Sequence, residues 1–201
     1  MIKNIVFDLG NVLLKGHSSI VLEELKLTDE MSQNIKSTFF SNCDDLDLGN
    51  ESLKEHFDRC EFDYNIDESI KEILVNYFKY RPFNNEMIEL INKLKENGYM
   101  IYILSNNNKE TYKYLKSLPI FECIDGWIVS CDYHMVKPDK GIYMKLFETF
   151  NLIPEECYFV DDKKENIETA KLLGMQGFVL DIQNQGIDSL VEKMKEQNIV
   201  V

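Results

Sequence analysis

The chain has 201 residues, 44% of them apolar and 28% charged, and a formal net charge of −13. That length suits one domain with an insertion, or two small domains. The acidity repels phosphate backbones and anionic lipid at long range, which argues against nucleic acid as a partner. No apolar run approaches the roughly 20 residues that span a bilayer, and the N-terminus enters a strand directly with no cleavage-site pattern, so neither membrane insertion nor secretion is supported. The five cysteines, Cys43, Cys60, Cys123, Cys131 and Cys157, are odd in number and contain no C-x-x-C. They indicate neither a disulfide framework nor a zinc ribbon, and a reducing cytoplasm is the simplest location. His17, His56 and His134 stand far apart, and each reads as a surface or cap residue.

The first element is "NIVFD", residues 4–8, which sets a carboxylate, Asp8, at the end of an apolar run and follows it with a Gly-Asn pair. A buried, unpaired carboxylate is costly. Taken alone, Asp8 reads equally well as a turn residue. From about residue 15 to 80 the patterns are all helical: "SSIVLEELKL", "DEMSQNIKSTFF", "ESLKEHFDRC" and "DESIKEILVNYF". Strands and helices then alternate. "NNEMIELINKLKENG" carries Met87, Ile88, Ile91 and Leu94 at helical spacing and stops at Gly98. The apolar runs "MIYILS" (100–105), "GWIVS" (126–130), "CYFVD" (157–161) and "GFVLD" (177–181) read as buried parallel strands. Between them "PDKGIYMKLFETF" repeats Ile142, Leu146 and Phe150 every four residues, and "KENIETAKLLGM" ends at Gly174. This alternation predicts a doubly wound parallel α/β sheet, Rossmann-like, with an inserted helical cap. Residues 1–14 and 81–201 form the expected core domain and 15–80 the cap, its two connections near Lys15 and Arg81 meeting at the C-terminal edge of the sheet.

Open α/β sheets bind ligands beyond the carboxyl ends of their strands. Asp8 closes the first strand, Ser105-Asn106 the second and Asp161-Asp162 the fourth, while Lys137 follows the third after a short loop. Each has a bland explanation as a cap, a turn or a solvated lysine; their coincidence at one sheet edge carries the argument. Asp8, Asp161 and Asp162 together make a hard, all-oxygen site suited to Mg²⁺ rather than zinc. Lys137 would offset part of that charge and hold a phosphoryl group, whose oxygens could meet the hydroxyl and N–H groups around Ser105 and Asn106. Asp8 then serves as a nucleophile that takes up the phosphoryl group.

The segments "FDLGNVLL", "ILSNN", "VKP" and "YFVDDKKENI" resemble, in order, the four motifs of the haloacid dehalogenase superfamily, with a helical cap between the first and second. The "DLGNV" form is similar to that of small bacterial sugar-phosphate phosphatases, including glucose-1-phosphate phosphatases. The resemblance implies a phosphatase with Asp8 as nucleophile and metal ligand, and the Gly10 carbonyl as a second ligand. It further implies Ser105 and Asn106 on phosphate, Lys137 steadying nucleophile and phosphoryl group, and Asp161 and Asp162 holding Mg²⁺ directly or through water. The expected partner is a small phosphate ester such as an aldose 1-phosphate.

One position departs from the pattern. Most phosphatases of the superfamily place a general acid two residues after the nucleophile, and here that residue is Gly10. Without that acid, turnover is expected to favour good leaving groups, anomeric phosphates over 6-phosphates among them, unless Asn11 or the cap orients a water. Two rival readings keep most of these residues: a 2-haloacid dehalogenase, which needs no metal, and a non-catalytic binding protein of the same fold. The Asp161-Asp162 pair favours phosphate chemistry over the first, and retention of every other motif residue argues against the second. The segment "SNCDDLDLGNES" (41–52) is the candidate loop over the site, and its Asp44, Asp45 and Asp47 read first as a solvated turn.

Overall fold

Five strands form one parallel sheet in the order β3-β2-β1-β4-β5. They are β1 (Asn4–Phe7), β2 (Met100–Ser105), β3 (Gly126–Val129), β4 (Cys157–Asp161) and β5 (Gln176–Val179). The computed structural model describes residues 1–16 and 18–201, with only the backbone of 18, 19 and 182–185; the expectation for His17 therefore lies outside the described residues. Central β1 is buried on both faces, which is why it reads as a continuous apolar run rather than an alternating one. Ile5 sits in register with Ile101 and Tyr158, and Phe7 with Ile103 and Val160.

Successive side chains of β1 point to opposite faces and so feed two cores. Ile5 and Phe7 pack with Met87, Ile91 and Leu94 of α6 (Asn85–Glu96) and with Leu190 and Met194 of α11 (Ile182–Glu196, interrupted at Gly186). Val6 packs on the other side with Ile142 and Leu146 of α9 (Lys140–Phe150) and Ile167 of α10 (Lys164–Leu172). The architecture is the expected doubly wound parallel α/β sheet with a helical insertion.

The insertion comprises α1 (Ser18–Leu25), α2 (Asp29–Thr38), α3 (Asp44–Asp47), α4 (Leu53–Arg59) and α5 (Glu68–Val75), closed by a 3₁₀ turn at Tyr77–Tyr80. Local signals start three of these helices: Thr28 and Asp67 cap α2 and α5, and Ser52 with Glu55 forms a capping box on α4. The insertion has its own core of Ile35, Phe39, Leu46, Leu53, Phe57 and Leu74. His56, expected at a surface or a cap, is fully buried: Nδ1 lies 2.6 Å from Glu51 Oε1 and Nε2 2.8 Å from the Phe39 carbonyl. Its position on the buried face of α4, with its ring edge-on to Phe39, is what a lone histidine cannot reveal from sequence. His134 is exposed and ends α8 (Ser130–Tyr133) in the left-handed region.

The two connections of the insertion lie side by side. Lys15 N–H donates to the Pro82 carbonyl at 2.8 Å, Asn84 N–H to the Leu13 carbonyl at 2.9 Å, and Arg81 Nη2 to the Gly16 carbonyl at 2.6 Å. The insertion therefore leaves and rejoins the core at the edge where β1 ends. None of the described helices is long and apolar enough to cross a membrane.

Candidate active site

Parallel strands end with their carboxyl termini on one side, so the residue after each strand projects into a shared space. Asp8 follows β1, and its N–H continues the ladder to the Val160 carbonyl at 2.9 Å. Opposite it, the Lys137 ammonium, 2% exposed, donates three hydrogen bonds: to Asp8 Oδ1 at 2.8 Å, to Asp161 Oδ2 at 2.6 Å and to the Leu104 carbonyl at 2.8 Å. All three of its N–H groups are thereby used. Burial alone lowers the Lys137 pKa, but the charges of Asp8 and Asp161 and the bonds to them outweigh it and hold the ammonium above its ordinary value. Asp8 lies above the usual carboxylate range, mainly because burial penalises its charge, with Lys137 opposing and Asp161 adding to the rise.

The two carboxylates after β4 differ in how they are held. Asp161 is completely buried, and its oxygens accept from Lys163 N–H (2.8 Å), Lys137 (2.6 Å) and Asn166 Nδ2 (2.9 and 3.0 Å). Asp162 is more open and accepts a single hydrogen bond among the described residues, from Asn11 Nδ2 at 2.8 Å. Ligand atoms of Asp8, Asp161 and Asp162 all lie within 4.8 Å of one another. Three carboxylates this close, with one lysine between two of them, suit a hard divalent cation.

Past β2, the side chain of Asn106 is committed: its Oδ1 accepts from Lys137 N–H at 2.7 Å and its Nδ2 donates to the Lys137 carbonyl at 3.0 Å. It clamps the segment that carries the lysine, leaving its own backbone N–H without a partner among the described residues. Ser105 is buried, with its hydroxyl at the limit of a hydrogen bond, 3.5 Å from the Asn106 carbonyl. The structure thus brings all the sequence-predicted residues, Asp8, Gly10, Ser105, Asn106, Lys137, Asp161 and Asp162, to one edge of the sheet.

A cavity of about 150 Å³ opens above these groups, its floor formed by Asp8, Gly10, Asn106 and Lys137 and its roof by Cys43, Leu46, Asp47 and Tyr77 from the insertion. Asp44 and Asp45 are exposed but lie on helix α3 rather than in the expected solvated turn; Asp47, one helical turn on from Asp44, is half-buried, because α3 buries Leu46 and turns Asp47 toward the cavity. Gly49 fixes this docking. At φ +72, its backbone runs so close to Cys131 that an added Cβ would stand 2.3 Å from the Cys131 carbonyl oxygen. Gly49→Ala is expected to destabilise the protein by about 1–3 kcal/mol through overpacking at this contact, read as a lower urea midpoint at unchanged slope. Sequence reasoning missed Arg81, Tyr77, Lys163 and Asn166, which also line the cavity. Of these only Asn166 had a local signal, five residues after Asp161 on the first turn of the helix behind it.

A family model described as haloacid dehalogenase-like hydrolase matches residues 2–174. The chain belongs to the haloacid dehalogenase-like hydrolases. Within this family it is 25% identical over 192 residues to a D-ribitol-5-phosphate phosphatase of Bacteroides thetaiotaomicron, covering 89% of this chain and 91% of that one. It is 29% identical over 133 residues to mouse (Mus musculus) bifunctional epoxide hydrolase 2, but that match takes in 64% of this chain and spans 24% of the hydrolase's length. Among solved structures, a haloacid dehalogenase family enzyme of Bacteroides thetaiotaomicron, crystallised with magnesium and inorganic phosphate, superposes with a TM-score of 0.77 at 21% identity, over 94% of this chain and 99% of that one.

Proposed function

We propose that this hydrolase is a Mg²⁺-dependent phosphatase that cleaves a small phosphate monoester through an aspartyl-phosphate on Asp8, with residues 15–80 acting as a cap over a core of 1–14 and 81–201. The observation that carries the reading is the carboxylate cluster: Asp8, Asp161 and Asp162 converge within 4.8 Å beside a lysine whose N–H groups are all spent on holding it. Lys137 tethers Asp8 Oδ1, while Oδ2 accepts no hydrogen bond among the described residues and lies 3.6 Å from where a Cβ on Gly10 would stand. That oxygen is the nucleophile. The backbone N–H of Asn106, at the cavity wall, would bind the transferring phosphoryl oxygens, with the buried Ser105 hydroxyl beneath it.

The residues that would hold Mg²⁺ are Asp8, Asp162 and the Gly10 carbonyl, with Asp161 acting through water because its own oxygens already accept four hydrogen bonds. Bound there, Mg²⁺ offsets the carboxylate charge that would otherwise repel an anionic ester. A small sugar or polyol phosphate, such as an aldose 1-phosphate, suits the small polar cavity, and the Bacteroides relative named for D-ribitol 5-phosphate supports that class. A 2-haloacid dehalogenase would use the same nucleophile and lysine, but three clustered carboxylates are repulsive without a cation. Screening phosphorylated metabolites with Mg²⁺ and with EDTA tests the proposal: phosphate release is expected with the metal and should fall to background in chelator. Full activity in EDTA, or chloride release from 2-haloacids in place of phosphate release, would overturn it.

A further inference from the structure

Gly10 leaves the leaving group without a proton donor in the usual place, and Asn11 does not supply one: its side-chain amide is tied to Asp162 at 2.8 Å. The roof of the cavity offers an alternative. Three of its side chains carry dissociable protons, Cys43, Asp47 and Tyr77. Burial pushes the Cys43 thiol up to about 12 and also raises Tyr77, so neither is acidic enough to give up a proton near neutral pH. The Tyr77 hydroxyl oxygen accepts from Asn108 Nδ2 at 3.2 Å. Asp47 is different. Its carboxyl makes no hydrogen bond among the described residues, and it is held over Asp8 by the buried Leu46 and by the close approach of Gly49 to Cys131.

We propose that Asp47, reaching down from the helical insertion, is the general acid that protonates the leaving oxygen, replacing the acid missing at Gly10. This rests on the phosphatase reading and deepens it. As Asp8 Oδ2 forms its bond to phosphorus, the ester P–O bond breaks, and the departing oxygen takes the Asp47 proton and leaves as an alcohol. Water then attacks phosphorus and gives a proton to the Asp47 carboxylate; the bond to Asp8 breaks, and orthophosphate is released. The surroundings suit both roles. Burial raises the Asp47 pKa to about 6, with Asp44 and Asp8 adding to the rise and Lys163 and Lys137 opposing it. Arg81 and Asp162 are the other charged groups lining the cavity. A carboxyl that titrates there is populated in both forms near neutrality. The steep preference for good leaving groups that Gly10 alone predicts is therefore replaced by a shallow one.

The test measures the first chemical step of the Mg²⁺-loaded enzyme, by rapid quench, on 4-nitrophenyl phosphate and on a primary alkyl phosphate. Asp47→Asn is expected to slow the alkyl ester by about 10²- to 10⁴-fold, the usual worth of a positioned acid, and the nitrophenyl ester far less, because a phenolate departs without help. The wild type should lose alkyl-ester activity as pH rises through about 6, since the acid works protonated, and Asp47→Asn should lack that limb. Gly10 is outside the left-handed region and a Cβ there meets only Asp8 Oδ2 at 3.6 Å, so adding Gly10→Asp to Asp47→Asn should restore alkyl-ester turnover. Equal slowing of both esters by Asp47→Asn in an active wild-type background would overturn the role of Asp47 alone. No phosphate release from either ester by the wild type would overturn the phosphatase reading, and this proposal with it.

Discussion

Asp8→Asn is expected to abolish phosphate release while leaving the protein folded. The change keeps the side chain's volume and removes its charge. A neutral amide cannot attack phosphorus, and loss of a covalent nucleophile lowers turnover by about 10⁴-fold or more. Stability should survive for a reason specific to this site. Burial already raises the Asp8 pKa, so its charge is held at a cost, and without it Lys137 keeps its 2.6 Å pair with Asp161 and its bond to the Leu104 carbonyl. Phosphate release and thermal unfolding, measured on the same preparation, check both halves. Turnover within tenfold of the wild type would exclude the covalent route, and a collapsed fold would show that the Asp8 charge has a structural role the geometry does not explain.

The parts of this site that could be read from sequence are those encoded in runs of neighbouring residues. A buried parallel strand is a short apolar run, and the residue that ends it points to the ligand edge whatever the rest of the fold does; Asp8, Ser105, Asn106, Asp161 and Asp162 were accessible for that reason. The roof was less legible because its placement is tertiary. Helix α3 is four residues in an acid-rich segment with one apolar side chain, and it is held by Leu46, buried in the insertion's own core, and by the approach of Gly49 to Cys131, far along the chain. Three neighbouring aspartates look alike in sequence, yet α3 exposes Asp44 and Asp45 and turns Asp47 inward. Asn106 shows the same limit: its position was evident, but the commitment of its amide to the Lys137 backbone was not.

Lys137→Ala is expected to produce the second large effect, on activity and stability together. The lysine is the cation between Asp8 and Asp161, and both carboxylates are buried. Removing one partner of such a cluster leaves charge uncompensated, at a cost of about 3–5 kcal/mol. The loss should depend on pH in a defined direction. Asp8 already sits above the usual carboxylate range, and without Lys137 its folded-state pKa rises further. A carboxyl with a raised folded pKa favours the fold below its unfolded value and loses that contribution as pH rises through the folded one. The gap between variant and wild type should therefore be small in acid and widen toward neutral and alkaline pH. Mg²⁺ gives a second handle: a cation bound at the carboxylates stabilises the folded state by mass action, and without the Lys137 ammonium between Asp8 and Asp161 the variant should bind it more tightly, which narrows the stability gap. Activity should not recover with it, since Asp8 Oδ1 has lost the tether that orients the attacking oxygen. Urea unfolding at acid and neutral pH, with and without saturating Mg²⁺, alongside phosphate release, separates these effects. A variant whose turnover returns at high Mg²⁺ would reduce Lys137 to a counter-charge and remove it from the positioning of Asp8.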